Sequence, residues 1–477
     1  VSRTVGWFTT MYPVVLEINE NESGITNLVR IKEHLHRVPN KGIGYGVLRY
    51  LSEKEYKLNP EITFNYLGDF DSALNEEKEE TLFEFSEIYR GAEQSPERPR
   101  TCLLDVSVIV IGGEINFSVA YSNKQFFEPT MNLLKENYLS GLNTLITDLS
   151  SEGKEYITPV DLTYKDLSIQ KLGELNKDGN IEDVYLLSPM QEGMYYHWYS
   201  SVGSTVYFEQ MSYGLKANLN ISLLEQSYYK LVSRYAVLRT HFSQDYGLDV
   251  LQVVKRSVES GFYFEDCSGG DLEFIDSYKA KDRKKGFDLH SGSQMRLSVL
   301  RSAENCYEFI WSSHHILMDG WCVGILIRDF FQIYESLLNG HTAELPKVYP
   351  YSDYIKWITK FHHKSSLDYW KNYLSGYDTF SGIPKLGSSS GDDYSSGEMR
   401  LVLSSELCQS IRKLCNELSV TENIFIQAVW GVLLGKYNSS GDVLFGSVVS
   451  GRPAEIEGIE EMIGLFINTI PVRVSFD

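Results

Sequence analysis

Strand-like and helix-like segments alternate along this 477-residue chain, which predicts an α/β (α+β) fold built from more than one packed unit. Three observations carry the prediction. The chain is too long for one ordinary core, so two to four units are expected. Its composition is globular, with 43% hydrophobic and 23% charged residues. Runs rich in β-branched and aromatic residues stand beside stretches whose apolar residues recur at helical spacing.

The elements follow in order. "VGWFTTMYPVVLEI" (5–18) reads as a strand. "SGITNLVRIKEHLHRV" (23–38) has helical spacing at Ile25, Leu28, Val29, Ile31 and Leu35. "TCLLDVSVIVIGGEINFSVAYS" (101–122) reads as two strands joined at Gly112-Gly113. "EPTMNLLKENYLSGLNTLITDLS" (128–150) is a long amphipathic helix. Residues 151–183 are polar and weakly periodic and read as a linker with about one helical turn. In "VYLLSPMQEGMYYHWYS" (184–200), Ser188 is a helix N-cap, Pro189 suits the first helical position and Gln191 completes a capping box. "LLEQSYYKLVSRYAVLRTHF" (223–242) is a helix running into a strand. "CYEFIWSSHHI" (306–316) is a strand, and "VGILIRDFFQIYESLLNG" (323–340) a helix ending at Asn339-Gly340. Residues 352–376 read as one helix, 382–398 as a Gly/Ser-rich loop, and "LCQSIRKLCNELSV" and "ENIFIQAVWGVLLGKY" as helices. "DVLFGSVVSGRP" (442–453) and "MIGLFINTIPVRVSF" (462–476) read as strands.

Several classes of function are disfavoured. The net charge of −20 argues against nucleic acid or an anionic membrane as partner. No apolar run reaches the roughly 18 residues of a transmembrane helix, and the N-terminus carries no secretory pattern. The six cysteines are scattered with no CxxC and are expected to be reduced thiols in a cytoplasmic protein. There is no G-x-S-x-G elbow, no G-x-x-x-x-G-K-[ST] phosphate loop and no dinucleotide fingerprint, since "GIGYG" has the wrong glycine spacing.

The stretch that invites chemistry is "SSHHILMDGW" (312–321), at the point where a strand gives way to a loop and then a helix. Adjacent residues of a strand point to opposite faces, so His314 and His315 are poorly placed to share a metal ion, and no metal site is expected. Packing alone accounts for both histidines on one reading. On the other, one imidazole moves or holds a proton near neutral pH while its neighbour supports the strand. Asp319 lies in the turn and is expected to pair with an arginine, with Arg296 the candidate. Gly320 is expected to let the backbone approach a ligand closely. A second signal is internal: "VGWFTTMYPVVL" (5–16) aligns with "IGLFINTIPVRV" (463–474), sharing Gly, Phe, Pro and Val in register. This pattern reads either as chance likeness of two strands or as tandem homologous domains.

"HHILMDG" (314–320) resembles the His-His-x-x-x-Asp-Gly motif of the chloramphenicol-acetyltransferase-like acyltransferases. "LSPMQEGMYYH" (187–197), "RYAVLRTHF" (234–242), "YSDYIKWI" (351–358), "YWKNYL" (369–374) and "IGLFINTIPVR" (463–473) resemble, in order, further motifs of nonribosomal peptide synthetase condensation domains. "VGWFTTMYPV" (5–14), "RVPNKGIGYGVLRYL" (37–51) and "FNYLGDFD" (64–71) resemble the closing motifs of an epimerization domain from the same synthetases.

The resemblance implies a two-lobed fold, each lobe a mixed sheet with flanking helices. Residues 1–150 would be the C-terminal lobe of an incomplete epimerization domain, and 151–183 a linker. Residues 184–345 would be the N-terminal lobe of a condensation domain, and 346–477 the first part of its C-terminal lobe. The implied activity is amide formation between a donor thioester, D at its last residue, and an acceptor aminoacyl thioester. Both ride on the phosphopantetheine arms of peptidyl carrier proteins loaded by adenylation domains, with no cofactor bound directly. His315 is the implied catalytic residue, with His314, Asp319, Gly320 and Arg296 in support. A coenzyme-A-dependent acyltransferase and a non-catalytic carrier-docking scaffold are the alternatives.

Overall fold

A computed structural model describes residues 4–52, 58–69, 91, 95, 100–153, 155–201, 205–244, 249–268, 273–360, 363–384 and 397–476. The chain divides into two compact units, Val1–Asp161 with Lys165–Leu175, and Leu162–Tyr164 with Asn176–Asp477.

In the first unit, Ser23 caps helix α1 (Gly24–His36) by accepting from the Thr26 N–H at 3.1 Å. Helix α2 (Ile43–Leu51) follows a 3₁₀ turn. Strand β1 (Ile62–Asp69) runs parallel to β2 (Leu104–Ile111), which returns as the antiparallel hairpin strand β3 (Glu114–Tyr121). The hairpin turns on Gly112 and Gly113, at φ +63° and +74°, where glycine carries no steric penalty. Helix α3 (Glu128–Glu152) stacks Tyr138 on Phe117, with ring centroids 4.2 Å apart.

Two expectations fail here. Residues 5–18 form no strand, and Val5, Trp7, Phe8 and Met11 are exposed. A strand needs a neighbour to satisfy its backbone groups, and no described strand pairs with this segment. The stretch 151–183 is more ordered than a linker. It holds helix α4 (Ile169–Leu175) and the start of strand β4 (Ile181–Leu186), and it buries Leu162, Leu167 and Leu172. Leucines five apart leave no helical or strand period to read, yet each finds a core. Of the motif at 64–71, residues 70 and 71 lie outside the described residues.

The second unit continues from β4 into helix α5 (Pro189–Ser200). Its capping box is present: Ser188 Oγ accepts from Gln191 N at 3.3 Å, and Gln191 Oε1 accepts from Ser188 N at 3.0 Å. Strand β5 (Phe208–Lys216), helix α6 (Ile221–Arg234), strands β6 (Thr240–Ser243), β7 (Leu251–Lys255) and β8 (Phe262–Asp266), and helix α7 (Glu273–Lys285) follow. Then come strands β9 (Met295–Ala303) and β10 (Cys306–His314) and helix α8 (Gly320–Leu338). The main sheet has the order β5-β10-β9-β8, antiparallel except for β8 beside β9. A smaller sheet has the order β4-β7-β6. Helix α8 buries Cys322, Ile325, Leu326, Phe330 and Ile333 and ends at Asn339, with Gly340 at φ +71°.

The single helix expected over 352–376 is two, α9 (Tyr351–Ile358) and α10 (His363–Tyr373), separated by residues 359–362, of which 361 and 362 are not described. Most of the Gly/Ser-rich stretch, 385–396, is likewise outside the described residues. Helices α11 (Ser405–Leu418) and α12 (Glu422–Asn438) precede the antiparallel pair β11 (Asp442–Val449) and β12 (Asn468–Ser475). Among the described residues no single helix is long and apolar enough to cross a membrane.

Candidate active site

Strand parity sorts the histidine motif. On β10, Phe309, Trp311 and Ser313 share one face with their cross-strand partners Tyr213, Met211 and Glu209 on β5, and with Val299, Leu297 and Met295 on β9. This face meets α8, where Trp311 packs edge-on against Phe330 at 5.3 Å. The opposite face carries Ser312 and His314 with Gln210, Phe208 and Arg296. It meets α7, whose Asp282 bonds Gln210, Arg296 and Ser312.

His314 therefore points away from α8 and is 2% exposed. Its Nδ1 accepts from the Ile316 N–H at 3.2 Å, so the proton resides on Nε2, which has no partner among the described residues. Burial, and then the neighbouring His315, push its pKa from 6.5 down to about 4, so it is neutral. His315 is the first residue past the strand. Its Nδ1 lies 2.9 Å from the Met318 carbonyl. A carbonyl only accepts, so Nδ1 carries the hydrogen and Nε2 presents a lone pair. No described residue bonds that Nε2. His315 lines a cavity of about 220 Å³ at the end of β10, walled by Met211, Met295, Trp311 and Ser313 from the sheet and by Val323, Leu326 and Ile327 from α8.

Asp319 is buried, as expected for a carboxylate that fixes the loop, but its partner is not Arg296. Arg452, whose side chain is 2% exposed, lies 3.4 Å from Asp319 Oδ1. Asp319 Oδ2 accepts from the Phe466 N–H at 3.1 Å, and the Asp319 N–H donates to the Gly464 carbonyl at 3.2 Å. Arg452 also donates to the Met462 carbonyl at 2.9 Å and lies over the Phe466 ring at 4.0 Å. The carboxylate thus ties the motif loop to the segment before β12. Parity explains the correction. Arg296 pairs in register with Ser312, on the α7 face, and binds Asp282 at 2.8 Å there, with Phe287 under its guanidinium at 4.0 Å.

Gly320 opens α8 and lines the cavity, and a Cβ built there meets no atom within 4 Å. Its φ is not in the left-handed region, so the position gains space rather than conformational freedom. Among the described residues no group of three His, Cys, Asp or Glu side chains is arranged to hold a metal ion. The six cysteines are free thiols, and burial raises that of Cys322, beside Asp319, to about 12.

The sequence reading missed Arg452 and Glu209. Arg452 stands alone between Arg412 and Arg473, just after a strand-like run, and that isolation was its one signal. Glu209 had the parity signal: it sits directly across from Ser313, two residues before His315.

Comparison with known proteins identifies the family. The condensation domain family matches residues 1–168 and 181–477. Bacitracin synthase 1 of Bacillus licheniformis is 34% identical over 488 residues, covering 100% of this chain and 9% of that protein. Bacitracin synthase 3 of the same organism is 35% identical over 487 residues, covering 100% of this chain and 8% of that protein. The chain therefore spans less than a tenth of the length of these two relatives. Among solved structures, the first condensation domain of the CDA synthetase aligns with a TM-score of 0.51 at 14% identity, covering 62% of this chain and 70% of that one. The condensation domain from the monacolin K polyketide synthase MokA aligns with a TM-score of 0.52 at 16% identity, covering 62% and 69%. These two likenesses establish the fold.

Proposed function

Since this chain belongs to the condensation domain family, we propose that its second unit joins a donor thioester to the amine of an acceptor aminoacyl thioester, with His315 as the group that handles the proton. The amine nitrogen attacks the thioester carbonyl, the C–N bond forms and the C–S bond breaks. The proton lost by nitrogen passes to His315 Nε2 and from there to the departing sulfur. The observation that carries this reading is the fixed tautomer of His315: Met318 holds the Nδ1 proton, and the Nε2 lone pair is unclaimed. A free α-amine has a pKa near 8, so part of it is already nucleophilic. The imidazole then acts mainly by orienting the amine and accepting its proton as the tetrahedral intermediate forms.

The substrates ride on phosphopantetheine arms of carrier proteins within a larger synthetase that also contains adenylation domains. The similarity to named synthases supports this assignment. Within it, 184–345 is the N-terminal lobe of the condensation domain and 346–477 the first part of its C-terminal lobe. Residues 1–150 are the closing part of an epimerization domain, a reading supported by the motifs at 5–14, 37–51 and 64–71. An epimerization domain ahead of a condensation domain leaves both donor epimers on the carrier that supplies the donor, so the condensation domain is D-selective at the donor. A mismatch of about 1.4 kcal/mol gives tenfold selection.

The test supplies the condensation domain, within its full-length protein, with one L-aminoacyl acceptor carrier and either a D- or an L-terminated donor carrier. Amide product is expected, formed at least tenfold faster from the D donor. No amide from either donor overturns the function, whereas equal rates overturn only the stereochemical assignment.

A further inference from the structure

The lining of the His315 cavity is mostly apolar, and its charges are unevenly compensated. Three lining side chains are of ionisable type: Glu209, His315 and Asp319. Asp319 is neutralised by Arg452. The Glu209 carboxylate makes no ion pair or hydrogen bond with any described residue. It is exposed at the rim of the cavity, on the same sheet face as Ser313, its register partner. The Ser313 hydroxyl likewise has no hydrogen-bond partner among the described residues. Glu209, Ser313 and the Nε2 of His315 are thus the unclaimed polar groups of one continuous wall. The sum of this wall is one uncompensated negative charge at the rim of an apolar cavity, with a proton acceptor beside it.

Such a wall selects a cation. From this geometry we infer that Glu209 binds the α-ammonium of the acceptor and hands the amine to His315. The inference rests on the proposed amide-forming role. At neutral pH an amine with a pKa near 8 is mostly protonated, so the species that arrives is R–NH₃⁺. The Glu209 carboxylate accepts its N–H bonds and draws it to the rim, and weakly screened apolar walls strengthen that attraction. Two protons must leave. One goes to bulk water at the exposed rim as the amine becomes neutral. The second, released as nitrogen attacks the thioester carbonyl, goes to His315 Nε2 and on to the sulfur. A hydroxyl acceptor carries no charge and receives no help from Glu209, so the same residue favours amide over ester formation.

The experiment measures binding and turnover side by side on the full chain. The probes are a glycyl-pantetheine amide, which keeps the α-ammonium, and its hydroxyacetyl counterpart, which lacks it. The wild type is expected to bind the ammonium probe on the order of tenfold more tightly at pH 7. Glu209→Gln removes that preference, Glu209→Asp retains part of it, and at pH 9, where the probe is neutral, wild type and Glu209→Gln converge. The KM for the acceptor carrier rises in Glu209→Gln while that for the donor carrier does not. Equal affinity of the wild type for the two probes, or an ammonium preference that survives in a folded Glu209→Gln, overturns the inference. A Glu209-dependent ammonium preference without amide product from loaded carriers supports the binding role and overturns the amide-forming one.

Discussion

The two faces of strand β10 carry the same kinds of side chain and put them to opposite uses. Toward α7, Ser312, Gln210 and Arg296 are drawn into a buried network around Asp282, and His314 is enclosed on the same face with its Nδ1 taken by the Ile316 N–H. Toward α8, Ser313, His315 and Glu209 line a cavity and their outer polar atoms are left without partners among the described residues. One serine and one histidine fall on each side. Residue type therefore does not decide which histidine is chemically available; parity along the strand does. A neutral, enclosed imidazole holds the loop, and an imidazole with a fixed Nδ1 proton and an open Nε2 is ready to accept one.

The largest test of this contrast is kinetic. His315→Ala is expected to lower amide formation by roughly 100- to 10,000-fold with little change in melting temperature, because the residue is only half-buried and its one side-chain bond is to a local carbonyl. His314→Ala should do the reverse, costing stability first and activity only in proportion to the folded fraction. Turnover and thermal unfolding measured on both variants decide the matter. Near-normal turnover by His315→Ala would end its assignment.

Next in size are the ion pairs behind each face. Asp319 and Arg452 are almost wholly buried, at 3% and 2% side-chain exposure. Removing one partner leaves an uncompensated charge, which costs about 3–5 kcal/mol. Asp319→Ala and Arg452→Ala should each show this loss in chemical denaturation, and the double variant should lose less than the sum. Arg296→Ala should also destabilise, through Asp282, and should add to Asp319→Ala because the two pairs share no partner. Non-additivity between Arg296 and Asp319 would restore the pairing that the sequence suggested.

Much of this was legible in the sequence, and the limits have physical causes. The capping box at Ser188 and Gln191, the Gly112-Gly113 hairpin and the C-cap at Gly340 depend on neighbours a few residues away, so local spacing reveals them. The site's histidines were legible for the same reason. Arg452 was not, because its bond to Asp319 spans 133 residues and depends on how the segment before β12 returns to the motif loop. The related segments 5–16 and 463–474 make the point in another way. Phe466 is buried against Tyr351, Tyr354 and Arg452, and residues 468–475 pair with β11. Phe8 and its neighbours share the pattern but are exposed and pair with no described strand. An apolar alternating run states that a strand is possible; only a partner makes it one.

Acidification probes the enclosed histidines. Burial, and then Lys255, lower the His241 pKa to about 4, as burial and His315 do for His314. The unfolded chain takes up these protons near pH 6.5, the folded chain only near pH 4. Between the two the unfolded state binds more protons, so stability falls as pH falls. Each histidine contributes a slope of up to about 1.4 kcal/mol per pH unit in that window. His314→Gln should flatten the decline between about pH 7 and pH 5, measured by denaturant unfolding, above the range where most carboxylates titrate. An unchanged slope would mean that His314 titrates freely.

The smallest expected effect is also the cleanest reading of parity, because it compares two neighbours of one type. Ser312 Oγ donates to the buried Asp282 carboxylate at 2.5 Å, a charge-assisted bond in an enclosed network. Ser313 Oγ has no partner among the described residues and faces the cavity. Ser312→Ala leaves Asp282 short of a donor and should cost about 1.5–3 kcal/mol. Ser313→Ala removes no bond and should stay within about 0.5 kcal/mol of wild type. Since Ser313 stands between Glu209 and His315, its variant should instead alter the acceptor KM, by a few-fold at most, while leaving the unfolding midpoint in place. Equal stability losses in the two variants would show that the cavity-side serine is held as firmly as its neighbour, and that the division between a structural and a chemical face of β10 does not hold.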